Sequence, residues 1–520
     1  MNRTLFAAAL LLAAGPAAAA TIAVTRFDDP PVDGCSPADC SVREAVAHAM
    51  ALPGADTIQL SAGAYVLREP GPGEPLTLSI EGALSFEGAG PDQTRVYGNG
   101  RGSLFRLYQA NVAFHGLTLR DGRSAGSDVG GLGGGAIRAD QSQLLLEGAR
   151  LEGNTSQFDG GALHLTDSVL ELVATSIRGN KAANGGGAIW AQRTPVRLRA
   201  GSSLTFNGAD SGGAFIGNDE FLADDDCSIS DNTAQYGGAF VNLGGRLTVR
   251  GVATKTGSGL LQVAGNEASG AVNGIPSGLG GAFFGSEFTL ERLSVTGNQA
   301  SYGGGAIYLS EGDLVMKDSR IDGNRAGLVG GGAALHANSV LLERVSLDGN
   351  SAGDQGGAML LSGDRKMLLR NVDFHDNQAQ QHAAVVNGAP LTLSHVSFWN
   401  NLSATGADVI HQHPVGSAFY SNSLVLGRCT GTAAAIGAAG RNVRAYERTD
   451  ACSGVLHLQP LALARGSWGG LFEVTGISSS ASPLVDAGSA LYCTSRDVRN
   501  GIRDRRCDVG AFEHGTAAGW

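Results

Sequence analysis

Two acidic side chains and one histidine recur at intervals that would place them side by side on a folded surface. Asp322, Asp348 and His375 each stand two residues before an asparagine of a repeated pattern. Two carboxyl groups at a fixed separation can hydrolyse a glycosidic bond, and a base beside a cation can remove the proton α to a uronate carboxylate. These residues are therefore the candidate catalytic residues of a polysaccharide hydrolase or lyase. The alternative is that they are solvated acids on a turn.

A second set combines aromatic rings with polar groups at the same spacing. Each member follows a large apolar residue in a repeated Gly-Gly-Ala pattern. A row of aromatic faces with neighbouring polar groups suits the stacking of sugar rings. The pattern predicts a binding face for an extended polymer, and ordinary exposed sheet residues are the alternative. The candidate ligand-binding residues are Arg138, His164, Trp190, Phe284, Tyr308 and His336.

Residue types that commonly bind metals are grouped at two places in the sequence. His411 and His413 are two positions apart and would share one strand face, so they are the candidate metal ligands, with a metal-free histidine cluster as the alternative. The acidic insertion of Asp219, Glu220 and Asp224–Asp226 would suit Ca²⁺. It lacks the spacing of an EF-hand, and a solvated loop is the alternative. Apart from Ca²⁺ at this insertion, the sequence indicates no cofactor.

An internal repeat carries these residues. It has a period of about 26 residues and runs from roughly residue 130 to residue 400. Each unit contains a Gly-Gly-Ala-hydrophobe signal, as at Gly160, and a hydrophobe-x-x-Asn signal, as at Asn180. Short alternating runs between these signals predict strands joined by turns. Because one such unit cannot bury its apolar face alone, the units must stack, and the sequence predicts an all-β chain folded as a parallel β-helix.

Strand alternation then predicts where the side chains lie. Successive residues of a strand point to opposite faces, so the large residue after Gly-Gly-Ala should stack inside and the next should point outward. The repeated asparagines should occupy turns in a left-handed conformation and form a hydrogen-bonded ladder along the stack. The predicted inward column is Ile137, Leu163, Ile189, Phe215, Phe240, Phe283, Ile307, Leu335, Met359 and Val385.

The two ends of the chain differ from the repeat. Residues 1–20 contain Arg3, an apolar run and small residues ending at Ala20, which is typical of a cleaved secretory signal peptide. We predict an N-terminal cap at residues 21–75 with a short helix over 41–50, coils at residues 76–414 and a C-terminal cap region at residues 415–520. No later segment is apolar over the roughly 18 residues that a membrane span needs, so no transmembrane helix is predicted in the mature chain.

The cysteines fit an exported protein, because disulfides form in oxidising compartments. Spacing alone does not fix their connectivity, so other pairings remain open. Cys227 stands apart inside the repeat and is predicted to be a small buried core residue. The pairs predicted by proximity are Cys35–Cys40, Cys429–Cys452 and Cys493–Cys507.

Composition narrows the function classes. The chain of 520 residues has a formal net charge of -11 and no basic cluster, which argues against a nucleic-acid partner. Its 79 glycines are unusual, but a hydrophobic fraction of 42% argues against disorder. Because the repeat is continuous, one elongated body is expected rather than several domains.

Three parts of the chain resemble known families. The segment Cys40–Ala45 (CSVREA) is similar to the CSLREA domain that opens many secreted bacterial β-helix proteins, with Val42 in place of the usual Leu. Ser482–Gly488, Cys493 and Cys507–Glu513 together resemble the choice-of-anchor Q domain. The repeats between them are similar to those of polymorphic outer-membrane proteins. The resemblance implies a right-handed β-helix that is secreted or displayed on a bacterial surface.

The resemblance does not imply a reaction, so two functions remain. The first is adhesin-like binding of an extracellular polysaccharide or a cell surface, and the alternative is a polysaccharide lyase or glycoside hydrolase. Enzymes of both kinds are known on this fold, but fold alone does not establish activity. A groove lined by acids or arginines would favour turnover, and an aromatic face would favour binding.

Overall fold

The computed structural model describes residues 19–68, 78–98, 100, 102–125, 133–242, 244–255, 258–404, 406, 408–431, 436–439, 442–444, 455–456 and 461–519. The predicted signal peptide, except for its last two residues, lies outside the described residues. The same holds for Cys452, and with it for the predicted Cys429–Cys452 pair. In the ranges given above, no helix combines the length and the apolar character needed to cross a bilayer.

The chain forms a parallel β-solenoid of about 13 turns, which confirms the predicted β-helix. Consecutive coils pair in parallel, so equivalent residues stack along the molecule. Each regular coil has four short arms, named here in chain order from the Gly-Gly turn. The first arm comprises Ile137–Asp140, Leu163–Thr166, Ile189–Gln192, Phe215–Gly217, Phe240–Asn242, Phe283–Gly285, Ile307–Leu309, Ala333–His336, Met359–Ser362, Val385–Gly388, Asp408–Gln412 and Arg428–Gly431.

The second and third arms complete the paired sheet. The second arm comprises Gln143–Glu147, Val169–Val173, Val196–Arg199, Glu220–Asp224, Leu247–Val252, Phe288–Glu291, Ser417–Ser421 and Ile436–Ala439. The third arm comprises Arg150–Glu152, Ser176–Arg178, Ser203–Thr205, Ser228–Ser230, Leu261–Ala264, Leu293–Thr296, Leu424–Val425, Val443–Arg444 and Val455–Leu456. Four longer strands combine both arms, namely Asp313–Asp322, Ser339–Asp348, Met367–His375 and Pro390–Trp399.

Shorter strands follow each turn and begin the chain. The fourth arm comprises Arg123–Ser124, Thr155–Ser156, Lys181–Ala182, Thr233–Ala234, Glu267–Ala268, Gln299–Ala300, Arg325–Ala326, Ser351–Gln355, Gln378–Gln381 and Leu402–Ser403. The N-terminal strands are Thr21–Val24, Asp56–Leu60, Gly63–Val66, Leu78–Glu87, Thr94–Tyr97, Phe105–His115 and Thr118–Arg120. A small antiparallel hairpin, Ala271–Val272 with Ile275–Pro276, interrupts one coil.

The core is built from the inward residues of the arms, and most of the predicted column is confirmed. Phe240 and Phe283, for example, stack with ring centroids 5.0 Å apart. One position was wrong. Ala333, rather than Leu335, pairs with Ile307 and Met359. Gly332 takes the place of the usual alanine, so the small residue Ala333 fills the inward position that follows it. Leu335 is also buried, but it occupies the next inward position, beside Leu309.

The Gly-Gly turn has two separate requirements for glycine. Gly160 has φ +65, a left-handed conformation that other residues adopt only at a cost. Gly161 faces the next coil, and a Cβ atom there would lie 2.1 Å from the carbonyl oxygen of Gly187. The motif therefore needs its first glycine for positive φ and its second for close backbone approach.

The asparagine ladder is also confirmed. Asn180 donates from Nδ2 to Oδ1 of Asn207 at 3.0 Å, and its backbone N–H donates to the same oxygen at 3.0 Å. The predicted left-handed conformation was misplaced, because it belongs to the residue before each asparagine, such as Gly179 with φ +63. The ladder contains Asn154, Asn180, Asn207, Asn232, Asn266, Asn298, Asn324, Asn350, Asn377 and Asn401.

The N-terminal end carries the predicted helix, Val42–Ala51. Its first turn is closed by a capping box in which Ser41 and Glu44 exchange backbone and side-chain hydrogen bonds. The disulfides Cys35–Cys40 and Cys493–Cys507 are present as predicted. Cys227 is buried as a free thiol, as predicted, and burial raises its pKa to about 12.

Residues 461–519, named here the C-terminal module, fold back against the outer face of the third arm. The module contains an antiparallel hairpin, Leu463–Gly466 with Val474–Ile477, and a short 3-10 helix, Ala490–Tyr492. Its own small core includes Leu260 and Leu424 of the solenoid. The backbone N–H of Ala511 donates to Ser397 Oγ at 2.9 Å. The module is thus held by both apolar and polar contacts.

Candidate functional site

The third arm brings the predicted catalytic residues together. Asp322 pairs with Asp348, and Asp348 pairs with His375, so the three occupy one register position on consecutive coils. Each follows an inward apolar residue, and its side chain therefore points out of the solenoid. We call these three residues the acid–histidine row.

Two members of the acid–histidine row are covered by the C-terminal module. Asp348 is 6% exposed and His375 is 0% exposed. The Arg465 guanidinium contacts Asp348, approaches Asp376 Oδ2 at 3.5 Å and lies 3.0 Å from Glu473. The sequence analysis placed this row on an exposed surface. That placement was wrong for Asp348 and His375, because the chain end folds over them, and a polymer cannot reach them in this arrangement.

Carboxylates surround the buried imidazole of His375. Its Nε2 lies 3.2 Å from Asp348 Oδ1 and 3.5 Å from Asp376 Oδ2, while Nδ1 lies 3.5 Å from Asp373 Oδ2. Burial lowers the pKa of the imidazole, but the carboxylates, Asp373 foremost, outweigh this and raise the pKa of His375. Asp373 Oδ2 also accepts a 2.7 Å hydrogen bond from the backbone N–H of Thr475, which ties this cluster to the C-terminal module.

Asp376 and Arg465 also belong to this site but were not predicted from the sequence. Asp376 stands just before Asn377, with φ +56, where most coils have glycine. An acid in a glycine position was a detectable signal. Nothing in the repeat pattern connects Arg465 to the acid–histidine row, because the module lies outside the repeat.

A second row lies on the first arm. Adjacent coils pair His164 with Trp190, Trp190 with Ile216, and onward to Tyr308 without a gap. The rings of His164 and Trp190 stack at 4.2 Å, and those of Phe284 and Tyr308 stack at 5.9 Å. This row, named here the apolar column, comprises His164, Trp190, Ile216, Val241, Phe284 and Tyr308.

The apolar column lies beside a concave corner. The residues just before the Gly-Gly turns also align, with Ser211 beside Tyr236 and Tyr236 beside Leu279. The rings of Tyr236 and Phe284 are 5.1 Å apart. Because outward side chains on either side of the turn touch one another, the corner between them is concave. Trp190, Phe284 and Tyr308 are half-buried within this corner.

Polar residues accompany the apolar column two positions further along the strands. Asp140, Thr166 and Gln192 align on three coils, and His336 aligns with Ser362 further along. We call this row the polar column. Its groups can hydrogen-bond a ligand that stacks on the apolar column.

The structure changes the position of one predicted ligand-binding residue. Ala334, rather than His336, is paired with Tyr308, because Gly332 occupies the position of the usual alanine in this coil. His336 instead belongs to the polar column, where its Nδ1 is 2.5 Å from Ser362 Oγ. Its ring centroid is 5.5 Å from that of Tyr308, so the two side chains remain neighbours.

The N-terminal end of the apolar column is more enclosed than expected. Arg138 pairs with His164 and forms an ion pair with Asp140, with Nε and Oδ2 3.0 Å apart. His164 is 7% exposed, because the backbone at Gly133 lies against its ring. Burial, helped by the charge of Arg138, lowers the pKa of His164 to about 4. The imidazole is therefore neutral at physiological pH.

The two predicted metal ligands, His411 and His413, lie in different environments. His411 stacks on His382 at 3.9 Å and its Nδ1 lies 3.0 Å from Thr430 Oγ1, whereas His413 is exposed just beyond the strand end. Within the described ranges, the groups whose ligand atoms could share one ion are His395 with Cys493 and Cys507, and Asp348 with His375 and Asp376. The cysteines of the first group form a disulfide, which leaves the second.

The acidic insertion uses its carboxylates within the fold. Asp225 Oδ1 accepts from the backbone N–H of Thr254 at 3.0 Å, and its Oδ2 accepts from that of Gly259 at 2.5 Å. Asp224 pairs with Arg197 at 2.9 Å. These contacts give the insertion a structural role in closing the coil.

Comparisons with known proteins add the following. The Chlamydia polymorphic membrane protein repeat matches residues 174–192 and 292–310. No curated protein matches the chain. The catalytic domain of a GH87 alpha-1,3-glucanase in complex with nigerose shares 11% identity at a TM-score of 0.36, over 68% of this chain and 65% of that one. A variant of that domain in complex with tetrasaccharides shares 14% identity at a TM-score of 0.35, again over 68% of this chain and 65% of that one.

The chain thus spans 65% of the length of these glucanase domains. Each segment that matches the membrane-protein repeat runs from a third arm, through one asparagine of the ladder and one Gly-Gly turn, to a first arm. These first arms carry Trp190 and Tyr308 of the apolar column. The chain therefore contains two segments that are similar to the Chlamydia polymorphic membrane protein repeat.

Proposed function

We propose that this protein binds an extended polysaccharide through the apolar column, without cleaving it, at a bacterial surface or in the extracellular space. The observation that carries the proposal is the unbroken register of this column from His164 to Tyr308, with the polar column beside it. Trp190, Val241, Phe284 and Tyr308 are the partly exposed members that would contact the polymer, whereas the buried His164 and Ile216 offer it little surface.

The dimensions of the column suit a polymer. Coils repeat about every 4.8 Å, a distance similar to the length of one sugar unit, so successive sugars can meet successive coils. The aromatic rings supply large apolar contact areas for sugar faces. The polar column supplies donors and acceptors for hydroxyl groups along the same edge. On such a surface, a few placed polar groups beside an apolar floor would fix the ligand.

The proposed location is supported by the predicted signal peptide and by two disulfides, which persist in oxidising compartments. The resemblance of Cys40–Ala45 to the CSLREA domain and of Ser482–Gly488 to the choice-of-anchor Q domain supports it too. The matched repeat family is named for membrane proteins of Chlamydia, which is consistent with surface display.

Binding can be tested by affinity electrophoresis of the mature protein in gels that contain neutral or uronate polysaccharides. We expect retardation by at least one polymer, and we expect Tyr308→Ala to weaken it about 10-fold, as for other buried aromatic contacts. Phe206→Ala is the matched control, because Phe206 is an exposed aromatic away from the column. Equal retardation of wild type and Tyr308→Ala, or loss with Phe206→Ala alone, would contradict the proposed binding face.

The enzymatic alternative is tested on the same polymers by ultraviolet absorbance of unsaturated products and by new reducing ends. We expect no product, because the C-terminal module covers Asp348 and His375. Product that forms with the wild type and disappears with Asp348→Asn would overturn the proposal in favour of a lyase or hydrolase.

A further inference from the structure

Three ligand atoms converge beneath the C-terminal module. They are Nε2 of His375 and one carboxylate oxygen each of Asp348 and Asp376, and all lie within 4.8 Å of one another. The imidazole nitrogen is 3.2 Å from Asp348 Oδ1 and 3.5 Å from Asp376 Oδ2. A fourth group, Asp373, stands behind the ring at 3.5 Å from Nδ1.

The hydrogen-bonding state of His375 is unusual. Its side chain is only 1% exposed, yet across the described part of the chain neither ring nitrogen finds a hydrogen-bond partner. The nearest carboxylate oxygens lie 3.2 to 3.5 Å from these nitrogens and do not meet the geometry of a hydrogen bond. A simple ion pair would orient the N–H bonds toward the acids, since a buried polar group without a partner costs free energy. A ligand between the three atoms would account for both the distances and the missing hydrogen bonds.

We propose that His375, Asp348 and Asp376 bind one divalent transition-metal ion, with Zn²⁺ as the best match. If each ligand atom lies about 2.1 Å from the metal, separations of 3.2 and 3.5 Å correspond to ligand–metal–ligand angles of roughly 100° and 113°, close to tetrahedral. Imidazole and carboxylate together favour Zn²⁺ over Ca²⁺, which takes oxygen ligands.

The surrounding groups complete the site. Asp373 faces the far nitrogen of His375, the position of the carboxylate that commonly orients a metal-bound histidine. Arg465 contacts Asp348 through Oδ2 and leaves Oδ1 directed at the imidazole. Three carboxylates and one guanidinium leave an excess of negative charge that a divalent cation would neutralise.

The position of the site gives the metal a structural role. Its ligands come from the solenoid, whereas Arg465 and the backbone of Thr475, which hold Asp348 and Asp373, come from the C-terminal module. Metal binding would order these acids and thereby fasten the module to the coils. This role is independent of polysaccharide binding, because the apolar column lies on the first arm.

The test uses the tag-free mature chain after treatment with a chelator, with Zn²⁺ as the probe in titration calorimetry and Co²⁺ as a probe of ligand geometry by visible absorption. We expect one Zn²⁺ per chain and a tetrahedral Co²⁺ spectrum. We also expect slower hydrogen exchange in Leu463–Gly466 when Zn²⁺ is added, because binding stabilises the closed arrangement. Retention in polysaccharide gels should not change.

Two variants remove ligands and one serves as control. His375→Gln should abolish stoichiometric binding. Asp376→Asn should weaken it by at least about 10-fold and still fold, because asparagine tolerates the left-handed backbone at this position. The double variant His411→Gln, His413→Gln should bind Zn²⁺ like the wild type.

Absence of stoichiometric Zn²⁺ binding by the wild type would overturn the proposal, as would undiminished binding by both ligand variants. Loss of binding in the double control would assign the metal to His411 and His413 instead. A polysaccharide result of either sign leaves these outcomes unchanged, so failure of this inference and failure of the proposed function can be told apart.

Discussion

Histidines of this protein show how neighbouring groups set the charge of a single residue. His164 lies under the backbone at Gly133 beside Arg138, and its pKa is lowered to about 4. His375 is also buried, but carboxylates surround it and raise its pKa. The same side chain is therefore neutral in the apolar column and inclined to be cationic in the acid–histidine row when no metal is bound.

The neutral state of His164 predicts a pH-dependent stability. Because the folded pKa of about 4 lies below the unfolded value near 6.5, the unfolded chain takes up the proton more readily. The contribution of this residue is complete above pH 6.5 and is lost as the pH falls toward 4. Between pH 7 and pH 4, the wild type should lose about 2–3 kcal/mol more unfolding free energy than His164→Phe.

Denaturant unfolding at several pH values measures this difference. His413→Gln is the control, because His413 is exposed and its removal should leave the pH profile of the wild type intact. Parallel profiles for the wild type and His164→Phe would show that His164 does not resist protonation in the folded chain.

At the scale of the coil, the Gly-Gly turn sets the distance between neighbouring coils. Gly161 should not tolerate a side chain, since a Cβ atom would lie 2.1 Å from a backbone oxygen that cannot move alone. Gly161→Ala should therefore destabilise the fold by about 2–4 kcal/mol, in the range of severe substitutions. Thermal unfolding followed by circular dichroism measures the effect.

Gly388→Ala is the matched control for this substitution. It also lies in the solenoid, but its Cβ atom would approach no nearer than 3.4 Å to any neighbour. We expect a change within about 1 kcal/mol, and a small gain is consistent with the lower entropy of an unfolded chain that contains alanine. A comparable loss in both variants would show that coil spacing at Gly161 is not the cause.

Features that repeat with the coil were predictable from the sequence. Alternation and spacing identified the inward column and the asparagine ladder, because each depends on residues within one unit. Asn207 was overlooked although Leu204 precedes it at the expected distance. At Gly330–His336 the signal itself is ambiguous, because Gly332 replaces the usual alanine and two more alanines precede the first large apolar residue, Leu335. Only the pairing with the neighbouring coils selects the alignment.

For the whole molecule, the C-terminal module was the part that sequence analysis could not place. Disulfide-linked residues near the chain end predicted a cap, but no local pattern indicates that Arg465 meets Asp348. Such a contact is fixed by how the module docks, and docking depends on shape and charge over many residues. The accessibility of the acid–histidine row therefore could not be derived from spacing, although its alignment could.

Removal of the Arg465 guanidinium should loosen the module. Arg465→Met removes the guanidinium from the buried Asp348 and leaves His375 beside it, and we expect a loss of about 1–3 kcal/mol, less than for a fully buried pair because Arg465 is partly exposed. Limited proteolysis should cut the chain near the hairpin faster than in the wild type. Arg246→Met is the control, since Arg246 forms only exposed ion pairs and should change stability by less than about 1 kcal/mol.

Identical proteolysis of Arg465→Met and wild type would show that the other contacts of the module retain it without the Arg465 ion pair. A double variant that also carries Asp348→Asn separates the contribution of the Arg465–Asp348 ion pair from that of the other contacts. If the ion pair matters, the second substitution should cost less in the Arg465→Met background than in the wild type.

The asparagine ladder has a consequence for how such a chain can change in evolution. Each asparagine bonds to its counterpart in the next coil and donates to a backbone carbonyl of the preceding coil, in the same way at step after step. Duplication or deletion of a whole repeat by recombination between similar gene segments would therefore preserve every bond type, whereas a gain or loss of one or two residues would not. The solenoid can thus become longer or shorter by whole coils while the contacts inside it stay the same.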